Sequence, residues 1–221
     1  MSLSRANRII LKRRGYRDVQ PLDPSRYPEL TERVEKIKRR AGLPELQVYI
    51  GDHNQPKASS LGKNAVIISS GMQEMLSSRE AAAILGHEIG HSARNTKHRL
   101  YTILPLLTTL AGAEIVGQYA VKHAMRARVG FKSVAIGCGL GVVASVYTHR
   151  ALKRFFTGKR EAEADRLGIE YSQDPEAFVS AMHKIEHWFM RNQRDVLERG
   201  GYKSPRIRVE EAVNAYHAHQ R

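Results

Sequence analysis

The chain has 221 residues, enough for one compact domain with an additional segment. Apolar residues make up 42% of the sequence and charged residues 26%, a balance that excludes a wholly disordered chain. The 36 Lys and Arg residues against 22 Asp and Glu give a formal net charge of +14, which favours a polyanionic neighbour such as nucleic acid or an anionic membrane surface. The single cysteine, Cys138, excludes an intramolecular disulfide and an all-cysteine zinc site.

Residues 1–27 form a basic segment. Its first 17 residues contain no Asp or Glu, and no apolar stretch of the length found in secretory signals follows them. This composition is typical of an arm that lies on anionic lipid. A mitochondrial presequence is the alternative interpretation.

The next segment predicts a mixed α and β region. Residues 28–41 have the apolar spacing of an amphipathic helix. Two short strand-like runs follow, Leu46–Ile50 and Ala65–Ile68, separated by a stretch that contains Gly, Asn and Pro. Ser77 and Glu80 fit a capping box, which predicts a helix that starts there and continues to about residue 95.

Two apolar runs come next, at residues 100–121 and 129–148, with one charge each, Glu114 and Lys132. Both runs have the length needed to cross about 30 Å of hydrocarbon. A short basic stretch between them suits a tight turn, so we predict a transmembrane helical hairpin. The alternative is a pair of buried helices in the core of a soluble domain.

The sequence His87-Glu88-Ile89-Gly90-His91 is an H-E-x-x-H motif on the predicted capped helix. Residues four positions apart share one helical face, so the imidazoles of His87 and His91 can bind one metal ion. Zn²⁺ held in this way lowers the pKa of its bound water, and Glu88 is the candidate general base that removes the water proton. A chance occurrence is the alternative, because the chain contains 10 His residues.

A third ligand is needed, because catalytic zinc is typically held by three protein side chains. The best candidate is Glu161, which lies four residues before Asp165 in a helix-prone segment. From one helical face, Glu161 would bind the metal while Asp165 accepts the outer N–H of a ligand histidine and fixes its tautomer. Glu163 projects to a different side. An ordinary charged helix face is the alternative for this segment.

The ordered set of strand, H-E-x-x-H, apolar pair and E-x-x-x-D resembles the M48 peptidases, the HtpX and Ste24-like gluzincins, over residues 28–212. The mitochondrial inner-membrane stress protease of the same clan is similar in outline. The resemblance implies a zinc endopeptidase with ligands His87, His91 and Glu161 and with Glu88 as the base. It also implies membrane-spanning segments between the two motifs, and misfolded or unassembled membrane proteins as substrates.

The chain departs from the family pattern at Ser204. The family tends to place a His-Pro pair before a late Arg, whereas this sequence reads Ser204-Pro205-Arg206-Ile207-Arg208. That histidine is thought to help stabilise the oxyanion, so Arg208 is the remaining candidate stabiliser of the transition state. Loss of such a donor costs roughly 10²–10³ in rate. A catalytically weak or inactive M48-like scaffold or assembly subunit is therefore the alternative function.

These observations predict an α+β, mainly α fold, in which a zincin-like catalytic domain with a small β-sheet carries an inserted apolar helical hairpin. The predicted parts are the basic arm (1–27), the first part of the catalytic domain (28–99), the hairpin (100–148) and the second part of the domain (149–221). The expected cofactor is one Zn²⁺ per chain.

The expected partners are a polypeptide substrate, membrane proteins among them, and an anionic lipid membrane. Nucleic acid is disfavoured, because the sequence has no zinc-finger, helix-turn-helix or aromatic RNA-reading pattern. Basic residues are more numerous on the flanks of the apolar runs than in the turn between them, which favours a catalytic side that faces the cytoplasm or the mitochondrial matrix. The expected location is the bacterial inner membrane, with the mitochondrial inner membrane as the alternative.

Overall fold

A computed structural model describes residues 3–127, 131–192, 210 and 213–214 of the chain. It divides into two compact units. The first combines Met1–Asn95 with Glu161–Arg221, and the second is Thr96–Arg160. Helices predominate and the sheet is small, so the predicted α+β, mainly α class is confirmed.

The first unit contains a four-stranded mixed sheet. Its strands are β1 (Val19–Pro21), β2 (Gln47–Gly51), β3 (Ala58–Ser60) and β4 (Ala65–Ser69), in the spatial order β1-β2-β4-β3. The central pair, β2 and β4, is parallel, and each outer strand is antiparallel to its neighbour. The two strands predicted from the sequence are this central pair. The outer strands have three residues each, too few for a hydrophobic pattern to reveal them.

Seven helices accompany the sheet within the described residues. They are α1 (Arg5–Arg13), α2 (Pro28–Arg40), α3 (Ser70–Met75), α4 (Ser78–Ala93), α5 (Asn95–Ala127), α6 (Phe131–Ser172) and α7 (Pro175–Asn192). Helix α2 confirms the amphipathic helix predicted at residues 28–41, with Leu30, Val34 and Ile37 buried on one side. The E-x-x-x-D segment is not a separate helix, because α6 continues without a break from the second apolar run to Ser172.

The sheet separates two hydrophobic cores, because alternate side chains of a strand point to opposite faces. Val66 and Ile68 of β4 pack into the larger core with α2, α4 and α7. Ile67 points the other way, into a smaller core with Leu11 of α1. All five residues of β4 are buried, as expected for a central strand that is covered on both faces.

The segment interpreted as a basic arm contributes two elements to the first unit. Leu11 of α1 is 1% exposed and packs with Tyr16 in the smaller core. Strand β1 pairs with β2, with Val19 opposite Gly51. Apolar packing of Leu11 and Tyr16 and the pairing of β1 with β2 thus attach this basic stretch to the sheet.

The second unit consists of the parts of α5 and α6 that lie within Thr96–Arg160. The two helices contact each other where His149 Nδ1 lies 3.4 Å from the carbonyl oxygen of Pro105. Large apolar side chains along both helices are exposed, namely Leu100, Ile103, Leu106, Leu107, Leu110, Ile115, Val116, Tyr119, Val121, Val142, Val143, Val146, Tyr147 and Phe155. The apolar side chains named here are therefore not buried within this unit.

The predicted transmembrane hairpin is not supported. Among the residues described, no helix combines the length and the apolar character that crossing a bilayer requires. Polar side chains of the first run make hydrogen bonds within their own helix. Gln118 Nε2 donates a hydrogen bond to Glu114 Oε1 at 3.3 Å, and the hydroxyl of Thr108 donates to the carbonyl oxygen of Leu104 at 2.9 Å.

Candidate metal centre

Helix α4 begins at the capping box that the sequence predicts. The Ser77 backbone N–H donates to Glu80 Oε2 at 2.8 Å, and the Ser77 hydroxyl oxygen accepts from the Glu80 backbone N–H. The Glu80 carboxylate also accepts hydrogen bonds from Ser180 and Lys184 of α7, at 2.6 and 2.7 Å. Burial raises the pKa of Glu80, but these hydrogen bonds outweigh burial and lower the pKa to about 2. The first turn of the motif helix is thus held to α7.

Glu161 of α6 lies between the two histidines of α4. Its Oε2 is 3.7 Å from His87 Nε2, and its Oε1 is 3.7 Å from His91 Nε2. One ligand atom from each of the three side chains lies within 4.8 Å of the other two. The histidine rings are nearly perpendicular, with centroids 4.7 Å apart. The structure thus brings together the three residues that the sequence proposes as metal ligands.

Asp165 contacts the other nitrogen of His87. Its Oδ1 lies 2.8 Å from His87 Nδ1, and its side chain is buried. With the Nδ1 hydrogen directed to Asp165, the Nε2 lone pair of His87 is directed toward Glu161, as a metal ligand requires. Burial lowers the pKa of His87, but the hydrogen bond to Asp165 and the nearby negative charges of Glu88 and Glu161 outweigh it and raise the pKa.

Two glycines allow α4 and α6 to come close enough for these contacts. A Cβ added to Gly168 would lie 2.9 Å from the backbone nitrogen of His87, and one added to Gly86 would lie 3.1 Å from the carbonyl oxygen of Gly168. Gly168 follows Asp165 by three residues and Glu161 by seven, so all three lie on one side of α6. The helix backbones therefore meet where the acidic side chains reach His87.

The sequence analysis did not identify these glycines, although both helices contain small residues spaced four positions apart. Gly86 and Gly90 on α4 are four residues apart, as are Ala164 and Gly168 on α6. Small residues at this spacing are typical of helices that pack closely. Phe178 of α7 was also missed; it is buried, and its ring stacks on His87 with centroids 6.5 Å apart.

The remaining predicted residues have different outcomes. Glu88 lies on α4 between the two histidines and is partly exposed. Glu163 is directed away from the ligand set, with its Oε1 3.8 Å from Arg94 Nε. Ser204 and Arg208 lie outside the described residues, so their roles stay predictions.

The three side chains suit zinc by both chemistry and spacing. Two imidazoles and one carboxylate are a set found in catalytic zinc sites. With bonds of about 2.1 Å, tetrahedral geometry separates neighbouring ligand atoms by about 3.4 Å. Each carboxylate oxygen of Glu161 lies near this spacing from one histidine, Oε2 at 3.7 Å from His87 Nε2 and Oε1 at 3.7 Å from His91 Nε2. Small side-chain movements would therefore let His87, His91 and Glu161 hold the ion together.

Comparison with known proteins agrees with this site. The sequence pattern of peptidase family M48 matches residues 24–218. Similar proteins include those called protease HtpX homolog in Burkholderia mallei (strain SAVP1) and Burkholderia pseudomallei (strain K96243). Each is 32% identical to this chain over 181 residues, which cover 77% of this chain and 60% of the relative. The chain thus spans about three fifths of the length of these relatives. Because the family pattern matches most of its length, the chain belongs to peptidase family M48.

Proposed function

We propose that this protein is a zinc-dependent endopeptidase. The observation that carries the proposal is the placement of Glu161 3.7 Å from both motif histidines, with Asp165 on the outer nitrogen of His87. Membership of a peptidase family supports the same activity. A purely structural role for these residues would leave unexplained why a His, a His and a Glu converge on one point in two close-packed helices.

The proposed chemistry divides among a few side chains. Bound zinc would activate a water molecule and polarise the peptide carbonyl. The Glu88 carboxylate accepts the proton of that water and later delivers it to the leaving amine. Asp165 holds His87 in the tautomer that presents Nε2. Arg208 is proposed to stabilise the negative charge that develops on the carbonyl oxygen.

The proposed substrate is an extended polypeptide segment. Strand β3 lies at one end of the sheet order and packs against α4, the helix that carries the motif. Its pairing with β4 uses one edge, and no other described strand pairs with it. A substrate strand that added to this edge would receive backbone hydrogen bonds close to the metal centre.

Membrane association is proposed on the basis of the second unit. Its helices display many exposed apolar side chains, and exposed apolar surface is typical of membrane or protein interaction sites. We propose that they contact lipid or membrane protein, at the bacterial inner membrane or its mitochondrial counterpart. Misfolded membrane proteins are the proposed substrate class in that setting, with a role in quality control.

Zinc content and proteolysis of casein, measured on the same preparations, test the activity. The wild type should contain one zinc per chain by elemental analysis and should cleave casein. Glu88→Gln should keep its zinc and lose activity by about 10²–10⁴-fold, the usual contribution of a general base. Glu170→Gln is the matched control, because Glu170 is exposed and pairs with Arg166 on the surface of α6.

The outcomes separate the two candidate functions. A wild type that binds zinc and cleaves nothing would support the inactive scaffold, the alternative raised by Ser204. Glu88→Gln with full activity would overturn the role of Glu88 as the base. A wild type that binds no zinc and still cleaves casein would overturn the metal-dependent mechanism.

A further inference from the structure

Helix α1 displays two apolar side chains on its outer face. Ile9 and Ile10 are 49% and 42% exposed, whereas Leu11 is buried. At 100° per residue, Ile9 lies nearly opposite Leu11, and Ile10 lies to one side of the same outer face. The exposed pair is therefore not needed to pack α1 against the sheet.

Basic side chains surround this apolar pair. Arg5, Lys12 and Arg13 are exposed, and helical geometry places them on the outer half of α1. No acidic residue occurs in the first 17 positions of the chain. Within the part of the chain that the structure describes, these three cations have no carboxylate partner. Their charge remains available to an anionic ligand.

The inner face of α1 is held in place without any partner. Leu11 packs in the smaller core, and the Ser4 hydroxyl oxygen accepts a hydrogen bond from the Asn7 backbone N–H to cap the helix. Just beyond the helix, Arg14 Nη1 donates to Ser59 Oγ of β3 at 2.8 Å. The basic and apolar outer face is thus presented by a helix that is already attached to the sheet.

We propose that α1 docks the first unit on an anionic lipid surface. Ile9 and Ile10 enter the boundary between headgroups and acyl chains, while Arg5, Lys12 and Arg13 contact the lipid phosphates. A combination of exposed aliphatic residues and flanking cations is what an interfacial helix requires. Nucleic acid would be attracted by the cations alone and gives no reason for two exposed isoleucines. This inference does not depend on the proposed peptidase activity.

Docking at the lipid would also bring β3 toward the membrane. The Arg14–Ser59 hydrogen bond joins the end of α1 to this edge strand. Under the proposed function, β3 is the strand that pairs with substrate. Segments that emerge from the bilayer surface would then be close to the edge that receives them.

A local fluorescent probe on the full chain tests the docking. Ala6 is exposed on the outer half of α1, so Ala6→Cys in a Cys138→Ser background accepts an environment-sensitive label while both isoleucines remain. The emission should shift to the blue with phosphatidylcholine vesicles that contain about one phosphatidylglycerol in three, and not with phosphatidylcholine alone. About 0.5 M salt should reverse the shift. The same label at Lys63→Cys, in an exposed turn, is the positional control.

Two sets of variants separate charge from apolar contact. The triple variant Arg5→Gln, Lys12→Gln and Arg13→Gln should weaken binding to anionic vesicles about a hundredfold, at roughly fivefold per cation. The control variant combines Arg26→Gln, Arg39→Gln and Lys63→Gln, which change the net charge by the same amount. It should weaken vesicle binding far less, because these three positions lie outside α1. Ile9→Ser with Ile10→Ser should weaken binding at least about tenfold.

Three results would overturn the inference. The first is a label at position 6 that does not respond to anionic vesicles. The second is an equal loss of binding in the two triple variants, which would indicate attraction by net charge alone. The third is a response to random duplex DNA as strong as the response to vesicles and unchanged by the isoleucine substitutions, which would indicate nucleic acid as the partner.

Discussion

The contact at Gly168 predicts that one added methyl group will loosen the metal centre. A Cβ at this position would lie 2.9 Å from the backbone nitrogen of His87 and 3.0 Å from its Cα. These are backbone atoms, so no side-chain rotation can relieve the clash. Ordinary Cβ contacts begin at 3.4 Å, so in Gly168→Ala the helices α4 and α6 must separate by about half an ångström.

The expected loss of stability follows from two opposing terms. Forcing an extra carbon into a packed interior costs about 1–3 kcal/mol. Replacing glycine by alanine inside a helix raises the free energy of unfolding by about 1 kcal/mol, because alanine has the higher helix propensity. Gly158→Ala is the matched control, since Gly158 lies in the same helix and a Cβ there would meet nothing within 4 Å. The difference between the two variants isolates the packing cost, because the propensity term is common to both.

Urea unfolding of the metal-free chain, followed by circular dichroism, measures this difference. Competition with a fluorescent chelator measures zinc affinity, which we expect to fall roughly tenfold in Gly168→Ala, because separating α4 from α6 moves Glu161 and Asp165 away from His87. Gly158→Ala should bind zinc like the wild type. If both variants have equal stability and wild-type zinc affinity, the close helix contact does not position the ligands.

Two further predictions concern the groups around the site. Asp165→Asn should lower zinc affinity about 10–100-fold, because it weakens the contact that orients His87; chelator competition measures this, and an unchanged affinity would contradict it. The pKa of Glu80 is about 2 in the folded chain, against an ordinary value of 4.5. The ionised carboxylate therefore stabilises the fold fully above pH 4.5, and this stabilisation is lost as the pH falls toward 2. Because the Lys184 side chain that pairs with Glu80 is 46% exposed, solvent screening reduces the contribution to about 1–2 kcal/mol. In Glu80→Gln, the stability measured by urea unfolding should be lower at pH 7 and should fall less steeply with acid; parallel curves for variant and wild type would refute this role.

Local sequence predicted the motif helix well. The Ser77 and Glu80 capping box is present, and the i, i+4 spacing places His87 and His91 on one face. Such features depend on hydrogen bonds and side chains within one or two turns, so few residues determine them. The same spacing argument singled out Glu161 with Asp165, and the structure brings both to His87.

The N-terminal segment and the apolar runs were harder to predict. A helix and a strand within a basic stretch depend on a few contacts with distant residues, such as Leu11 in the smaller core. The strand β1 has three residues and exists because β2 offers an edge to pair with. In the apolar runs, length suggested spanning segments, whereas no helix among the described residues has the length and apolar character that a span requires.

By itself, the sequence determined which residues could share a helical face, and hence the identity of the histidine pair and of its acidic counterpart. Only the tertiary structure decided that the two faces meet. The approach of α4 to α6 depends on Gly86 and Gly168, because neither has a side chain at the point where the two backbones come close. These glycines are 82 positions apart in the chain. Periodicity is a property of one segment. The distance between two segments depends on how their surfaces pack, and no local pattern contains that information.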